Sequence, residues 1–170
     1  MPARKNNLAF RDHDHSRCVD SALANAKHVC AARGAKLTPL REQVLQLVWG
    51  SHKPLGAYTI LDLLSANAAI KPRRQAPPTV YRALEFLQEH GLVHRINSLN
   101  AFIGCSQPQA YHNSHFLICR ECETALEIAD TSIADAVQSA AAGAHFSEPN
   151  ACVEITGLCP NCQRSQRSAR

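Results

Sequence analysis

The chain has 170 residues, of which 45% are hydrophobic and 19% charged, with eight cysteines and a formal net charge of +4. That length holds one domain or two small ones, and with no run of 18 apolar residues nothing is expected to span a membrane. The N-terminus lacks a charged-then-apolar leader pattern, so a cytoplasmic setting is expected, where eight cysteines point to metal rather than disulfides.

The charge is unevenly placed. Residues 1–95 carry 14 lysines and arginines against 7 acidic residues, a balance of +7, whereas residues 96–170 carry 4 against 7, or −3. A polyanion-binding first half and a second half with another task are expected.

In chain order, residues 1–16 are polar, and His13 and His15 among their charges read as a solvated, mobile arm, with a metal role for the two histidines as the alternative. Val19, Ala22, Leu23, Ala26, Val29 and Cys30 recur at helical spacing up to Arg33-Gly34. Thr38-Pro39 opens a second helix, with threonine as cap and proline at the first helical position, and Gly50 closes it. A third helix is expected over residues 57–65. A basic segment follows, holding Lys71, Arg73 and Arg74. Pro77 and Pro78 then precede a fourth helix, with Thr79 as its N-cap, a stripe of Val80, Ala83, Leu84 and Leu87, and Gly91 at its end. Tyr81 and Arg82 lie off that stripe in the expected first turn. There a cation opposes the helix dipole unless a phosphate or a guanine edge meets it. Residues 92–96 and 101–105 read as a hairpin around Asn97-Ser98-Leu99-Asn100. The last three of these helices followed by a hairpin form a winged-helix layout, whose last helix reads DNA.

Gln107-Pro108-Gln109 marks a hinge, placed at 106–111. Beyond it, strands are expected at 115–119, 125–128 and 152–156, with an amphipathic helix built on Ile133, Val137, Ala140 and Ala141. The tail from 163 is polar and is expected to lack structure. The fold class is therefore α+β: a winged-helix domain over 17–105, then a small metal-stapled α/β domain over 112–162.

Cys119-x-x-Cys122 and Cys159-x-x-Cys162 carry the strongest chemistry. Each pair sets two thiolates on a tight turn, and two pairs supply the four sulfurs of a tetrahedral structural zinc. The 36 residues between the pairs exceed a zinc-ribbon gap, so the metal would staple a small domain rather than a minimal finger. His94, Cys105, His112 and Glu127 fall on or beside expected strands and offer two nitrogens, one sulfur and one oxygen, a second competent zinc set. Such a set would connect the wing to the second domain.

Leu37-Thr38-Pro39-Leu40-Arg41, Ala57-Tyr58, Pro78-Thr79-Val80-Tyr81-Arg82-Ala83-Leu84, Gly91-Leu92-Val93-His94 and the two cysteine pairs resemble the ferric uptake regulator superfamily over residues 20–162. The resemblance is strongest to its zinc uptake branch. It implies a homodimeric winged-helix repressor that binds double-stranded operator DNA and carries two zinc ions per subunit. Carried over by position, Cys119, Cys122, Cys159 and Cys162 hold the structural zinc. His94, Cys105, His112 and Glu127 hold the regulatory one, with His115 as an alternative to His112. Tyr58 and Arg82 read bases, and Tyr81, Thr79, Arg41, Arg73 and Arg74 complete the DNA-binding set. Cys18, Cys30 and Cys152 match no ligand position and read as small, partly buried side chains.

A thiolate at Cys105 favours zinc over a redox metal; an iron, manganese, nickel or peroxide sensor of the same superfamily is the alternative. No enzyme signature occurs: His-x-Glu ahead of Pro-Cys-x-x-Cys, His-Glu-x-x-His, Gly-x-Ser-x-Gly and the P-loop are all missing. No small-molecule substrate is expected.

Overall fold

The computed structural model describes residues 7–11, 13–66, 76–109, 114–147 and 151–168. Arg73, Arg74 and His112 lie outside these. The chain divides into two compact units, Asp12–Ala110 and a second formed by Met1–Arg11 with Tyr111–Arg170. Among the described residues, no helix is long and apolar enough to cross a membrane.

In the first unit, helices α1 (His15–Ala32), α2 (Pro39–Trp49), α3 (Ala57–Ala66) and α4 (Pro77–Glu89) precede an antiparallel hairpin of β1 (Val93–Ile96) and β2 (Ala101–Gly104). The Asp14 carboxylate accepts from the Ser16 N–H at 2.9 Å and caps α1, so the helix starts inside the segment expected to be a mobile arm. Thr38 caps α2 as its sequence indicates. At the other end of α1, Gly34 takes φ +62°; its N–H bonds the Ala31 carbonyl, and the Ala35 N–H bonds that of Cys30. Gly91, at φ +67°, closes α4 in the same way. Only a residue without a Cβ adopts that backbone freely.

The start of α4 differs from the sequence reading. Ala76, not Thr79, holds the N-cap position without a side-chain cap, and Pro77 and Pro78 are the first helical residues. Proline loses nothing there, because the N–H groups of a first turn have no partner within the helix. Tyr81 and Arg82 therefore sit in the second turn, and the expected conflict between Arg82 and the helix dipole largely disappears.

The apolar stripes of the helices converge on one core. Val44, Leu45, Val48, Ile60, Val80, Leu84 and Leu87 are all at most 1% exposed, and Leu92, Val93 and Phe102 of the hairpin region close it. Each such side chain contributes roughly 1.5–3 kcal/mol on burial. Leu55 exchanges backbone hydrogen bonds with Phe102 at 2.8 and 2.9 Å, adding a one-residue bridge to the hairpin. The indole of Trp49, at the end of α2, packs against Gly104 of β2. A Cβ at Gly104 would come within 2.2 Å of its Cε2 and Nε1 atoms. A rigid indole cannot yield there. Gly104→Ala is expected to lower the stability of this unit by about 1–3 kcal/mol in denaturant titration. Gly157→Ala, where a Cβ meets open space, should change little.

The second unit is a three-stranded sheet of β3 (His115–Cys119), β4 (Ala125–Ile128) and β5 (Val153–Gly157) in the order β4-β3-β5. β3 runs antiparallel to β4 and parallel to β5. Helix α5 (Thr131–Gly143) supplies the connection that a parallel pair requires. Phe116, Ile118 and Ala125 are buried, but α5 buries no residue, and Ile155 on the edge strand β5 is 42% exposed. One copy of the chain thus leaves apolar surface uncovered here.

Two expectations for this unit need correction. Residues 163–168 are not structureless: they continue helix α6 (Pro160–Ser168), which begins with a proline inside the second cysteine pair. The Gln163 N–H closes the first turn on the Cys159 carbonyl at 3.0 Å, and the Ser165 and Ser168 hydroxyls bond carbonyls one turn back. Cys152 is exposed rather than partly buried, because it precedes the edge strand; Cys30 is buried and Cys18 half-buried, as expected. At the N-terminal side, Asn7–Phe10 forms a short 3-10 helix, and the Phe10 carbonyl accepts from Asn161 Nδ2 at 3.1 Å.

Candidate metal centre and nucleic-acid interface

Cys119 ends β3 and Cys122 lies in the turn after it; Cys159 immediately precedes α6 and Cys162 lies in its first turn. Because β5 pairs with β3 in parallel, both strands deliver their cysteine pairs to the same sheet end. The four Sγ atoms all lie within 4.8 Å of one another. The Cys122–Cys159 separation of 3.8 Å matches the sulfur–sulfur edge, about 3.8 Å, of a tetrahedron with zinc–sulfur bonds of about 2.3 Å.

Local backbone already favours negative charge at these sulfurs. The Cys159 N–H points to Cys119 Sγ at 3.4 Å, and the Cys162 N–H to Cys159 Sγ at 3.5 Å. Burial opposes ionisation of Cys119, but the backbone N–H groups of Cys122, Cys159 and Glu121 and the Cys122 thiol outweigh it, bringing the pKa down to about 6. Cys162 moves the other way, up to about 12, because the Cys159 thiol, burial and then the neighbouring sulfurs disfavour a further charge. The cluster therefore ionises once with ease and resists more. A divalent cation removes that repulsion, so the residues fit a structural zinc. Four sulfurs fill its coordination and leave no open position for catalysis.

The other expected ligands divide between the units. In the first, His94 is half-buried on β1, and Cys105 is 3% exposed just past β2, its N–H bonded to the Leu92 carbonyl at 3.0 Å. In the second, Glu127 on β4 is 7% exposed, an uncommon burial for a carboxylate. His115 on β3 is 1% exposed, and neither of its ring nitrogens has a hydrogen-bond partner among the described residues. A buried imidazole with both nitrogens unpaired is costly, and metal ligation is one way to satisfy one of them.

Of the residues expected to read DNA, Tyr58 at the start of α3 and Tyr81 on α4 are 66% and 40% exposed. They line a groove of about 400 Å³ together with Gly56, Glu85, Arg95 and Asn100. Arg82 is exposed on α4 and Thr79 half-buried. Arg41 stands apart: its guanidinium lies 3.4 Å over the Phe86 ring and donates to the Lys36 carbonyl, so it holds α2 against α4. Arg95 is absent from the sequence-based set. Strand alternation gives no signal for it, since Val93, two residues before it and on the same strand face, is buried while Arg95 is exposed. Its Nη2 donates to Asn100 Oδ1 at 2.8 Å, which fixes the guanidinium against the hairpin turn.

Comparison with known proteins matches residues 32–156 to the ferric uptake regulator family. The zinc uptake regulation protein of Escherichia coli K12 is 38% identical over 141 residues, 82% of this chain and 80% of that one. A solved structure described as a zinc uptake regulator complexed with zinc and DNA is 35% identical; it covers 88% of this chain and 97% of its own, with a TM-score of 0.80. The crystal structure of holo XcZur is 37% identical, covers 85% and 99%, and has a TM-score of 0.75.

Proposed function

Because this chain belongs to the ferric uptake regulator family, we propose that it is a zinc-responsive transcriptional repressor that binds operator DNA and controls zinc uptake genes. The observation that carries this reading is its likeness, over most of both chains, to a zinc uptake regulator complexed with zinc and DNA. The thiolate at Cys105 supports zinc over iron(II) or manganese(II), which prefer imidazole and carboxylate.

The ligand assignment that we favour is one structural zinc at Cys119, Cys122, Cys159 and Cys162, and one regulatory zinc at His94, Cys105, His112 and Glu127. The ring of His115, unpaired among the described residues, keeps it beside His112 as a candidate. Zinc at the regulatory set supplies the signal. Within the first unit, His94 lies on β1 opposite Ile103 and Cys105 follows Gly104 of β2, so one lies in and the other borders the hairpin that Trp49 braces. Support for a homodimer comes from α5 and Ile155, whose apolar surface a second copy would cover. A partner of this kind, operator DNA, puts the protein in the cytoplasm.

On the DNA face, Pro77 and Pro78 have no N–H to offer, and the Thr79 N–H is bonded to the Ala76 carbonyl at 2.8 Å. The usual anion site of a helix N-terminus is therefore closed. Recognition falls to side chains, Arg82 and Tyr58 first, with Tyr81, Thr79 and Arg95 beside them. Arg73 and Arg74 are assigned to phosphates, and Arg41 to packing. Arg82→Ala should cost about 1–3 kcal/mol on promoter DNA with little loss on random duplex. Arg73→Ala should weaken both equally and flatten the salt dependence. Equal losses for Arg82→Ala on both duplexes contradict its role.

The reading is tested against its alternative by titrating zinc, iron(II), manganese(II) and nickel(II) in turn. Tight promoter binding should develop at the lowest free concentration with zinc. Activation by another of these metals at lower free concentration overturns the zinc assignment.

A further inference from the structure

His13, expected in a solvated arm, is instead half-buried in the first unit together with His15 and His52. One ligand nitrogen from each ring lies within 4.8 Å of the others. His13 Nε2 is 3.2 Å from His52 Nε2, and the ring centroids are 4.4, 4.7 and 5.0 Å apart. Two nitrogens on one tetrahedral zinc, at about 2.0–2.1 Å each, stand about 3.3 Å apart. Cys18 lies one helical turn beyond His15, with its Sγ 3.3 Å from His13 Nε2. His15 Nδ1 is buried and has no hydrogen-bond partner among the described residues.

The alternative is ordinary packing of three imidazoles. Packing explains the ring contacts but leaves a buried nitrogen on His15 without a hydrogen-bond partner among the described residues.

We propose that His13, His15 and His52 form a further zinc site, separate from the four-cysteine centre and from the set at His94, Cys105, His112 and Glu127. Its donors, three imidazoles, suit zinc as a borderline-soft ion. A metal there ties the entrance of α1 to the bend after α2 and steadies the helix against which α2 packs.

The test is metal content of the full chain, dialysed against buffered zinc at neutral pH and measured by elemental analysis beside protein concentration. His52→Gln and His13→Gln should each bind one zinc fewer per chain than the parent while keeping its far-ultraviolet circular dichroism. His13 lies outside the helices, so its variant retains the fold if that of His52 does not. Cys105→Ser with His52→Gln should bind one zinc fewer than Cys105→Ser alone, which separates this site from the regulatory set. Cobalt(II) loading should lose one set of tetrahedral d–d bands in both histidine variants. Parental zinc content in folded His13→Gln overturns the site, as does equal zinc content in Cys105→Ser with and without His52→Gln.

Discussion

Cys119→Ser should leave the chain without its structural zinc and without a folded second unit. Metal binding at such a centre counts directly toward folding, at roughly 10–16 kcal/mol in zinc-finger peptides, whereas a whole domain is stable by only about 5–15 kcal/mol. The sheet has three strands, and its helix α5 buries no residue, so little else resists unfolding. The expected result is fast amide exchange throughout 115–128 and 153–157, loss of the dimer, and persistent protection in α2 and α4. A folded dimer with one zinc fewer would show that the cysteines do not staple the domain.

The second large effect concerns the response rather than the fold. Cys105→Ser replaces a buried thiol with an oxygen of similar shape, so the first unit should keep its core and the four-cysteine zinc should remain. The zinc response of DNA binding should disappear. Allosteric coupling of about 1–3 kcal/mol corresponds to roughly 5–150-fold in affinity, and by linkage promoter DNA must tighten zinc binding by the same factor in the parent. That reciprocal tightening should be absent from Cys105→Ser. His112→Ala and His115→Ala identify the third ligand, since only one of them should reproduce the loss.

Features written into local spacing were legible in the sequence. The stripe of Val80, Ala83, Leu84 and Leu87, the Thr38 cap and the two cysteine knuckles each depend on neighbours within a turn or two. The structure departs from the sequence reading where tertiary contact decides. Pro77 and Pro78 read equally as a barrier before a helix or as its first residues. Leu55 bridges Phe102 through single backbone bonds that no strand pattern announces. Trp49 selects glycine at position 104 from across the unit. His52 meets His13 across 39 residues, and neither histidine carries a mark of the other in its own surroundings. Arg95 was not readable from strand alternation, which puts it on the face of buried Val93, and a cation in a hairpin has too many ordinary roles to stand out alone.

The central claim, that zinc reaching Cys105 and its partner ligands turns on DNA binding, is tested most directly by one titration. Parent and Cys105→Ser, each retaining the four-cysteine zinc, are titrated with buffered free zinc while fluorescence anisotropy follows a promoter duplex from the zinc uptake genes of the same genome. The account predicts a steep rise in affinity with zinc for the parent and a flat, weak response for Cys105→Ser. A full zinc response in Cys105→Ser would contradict it.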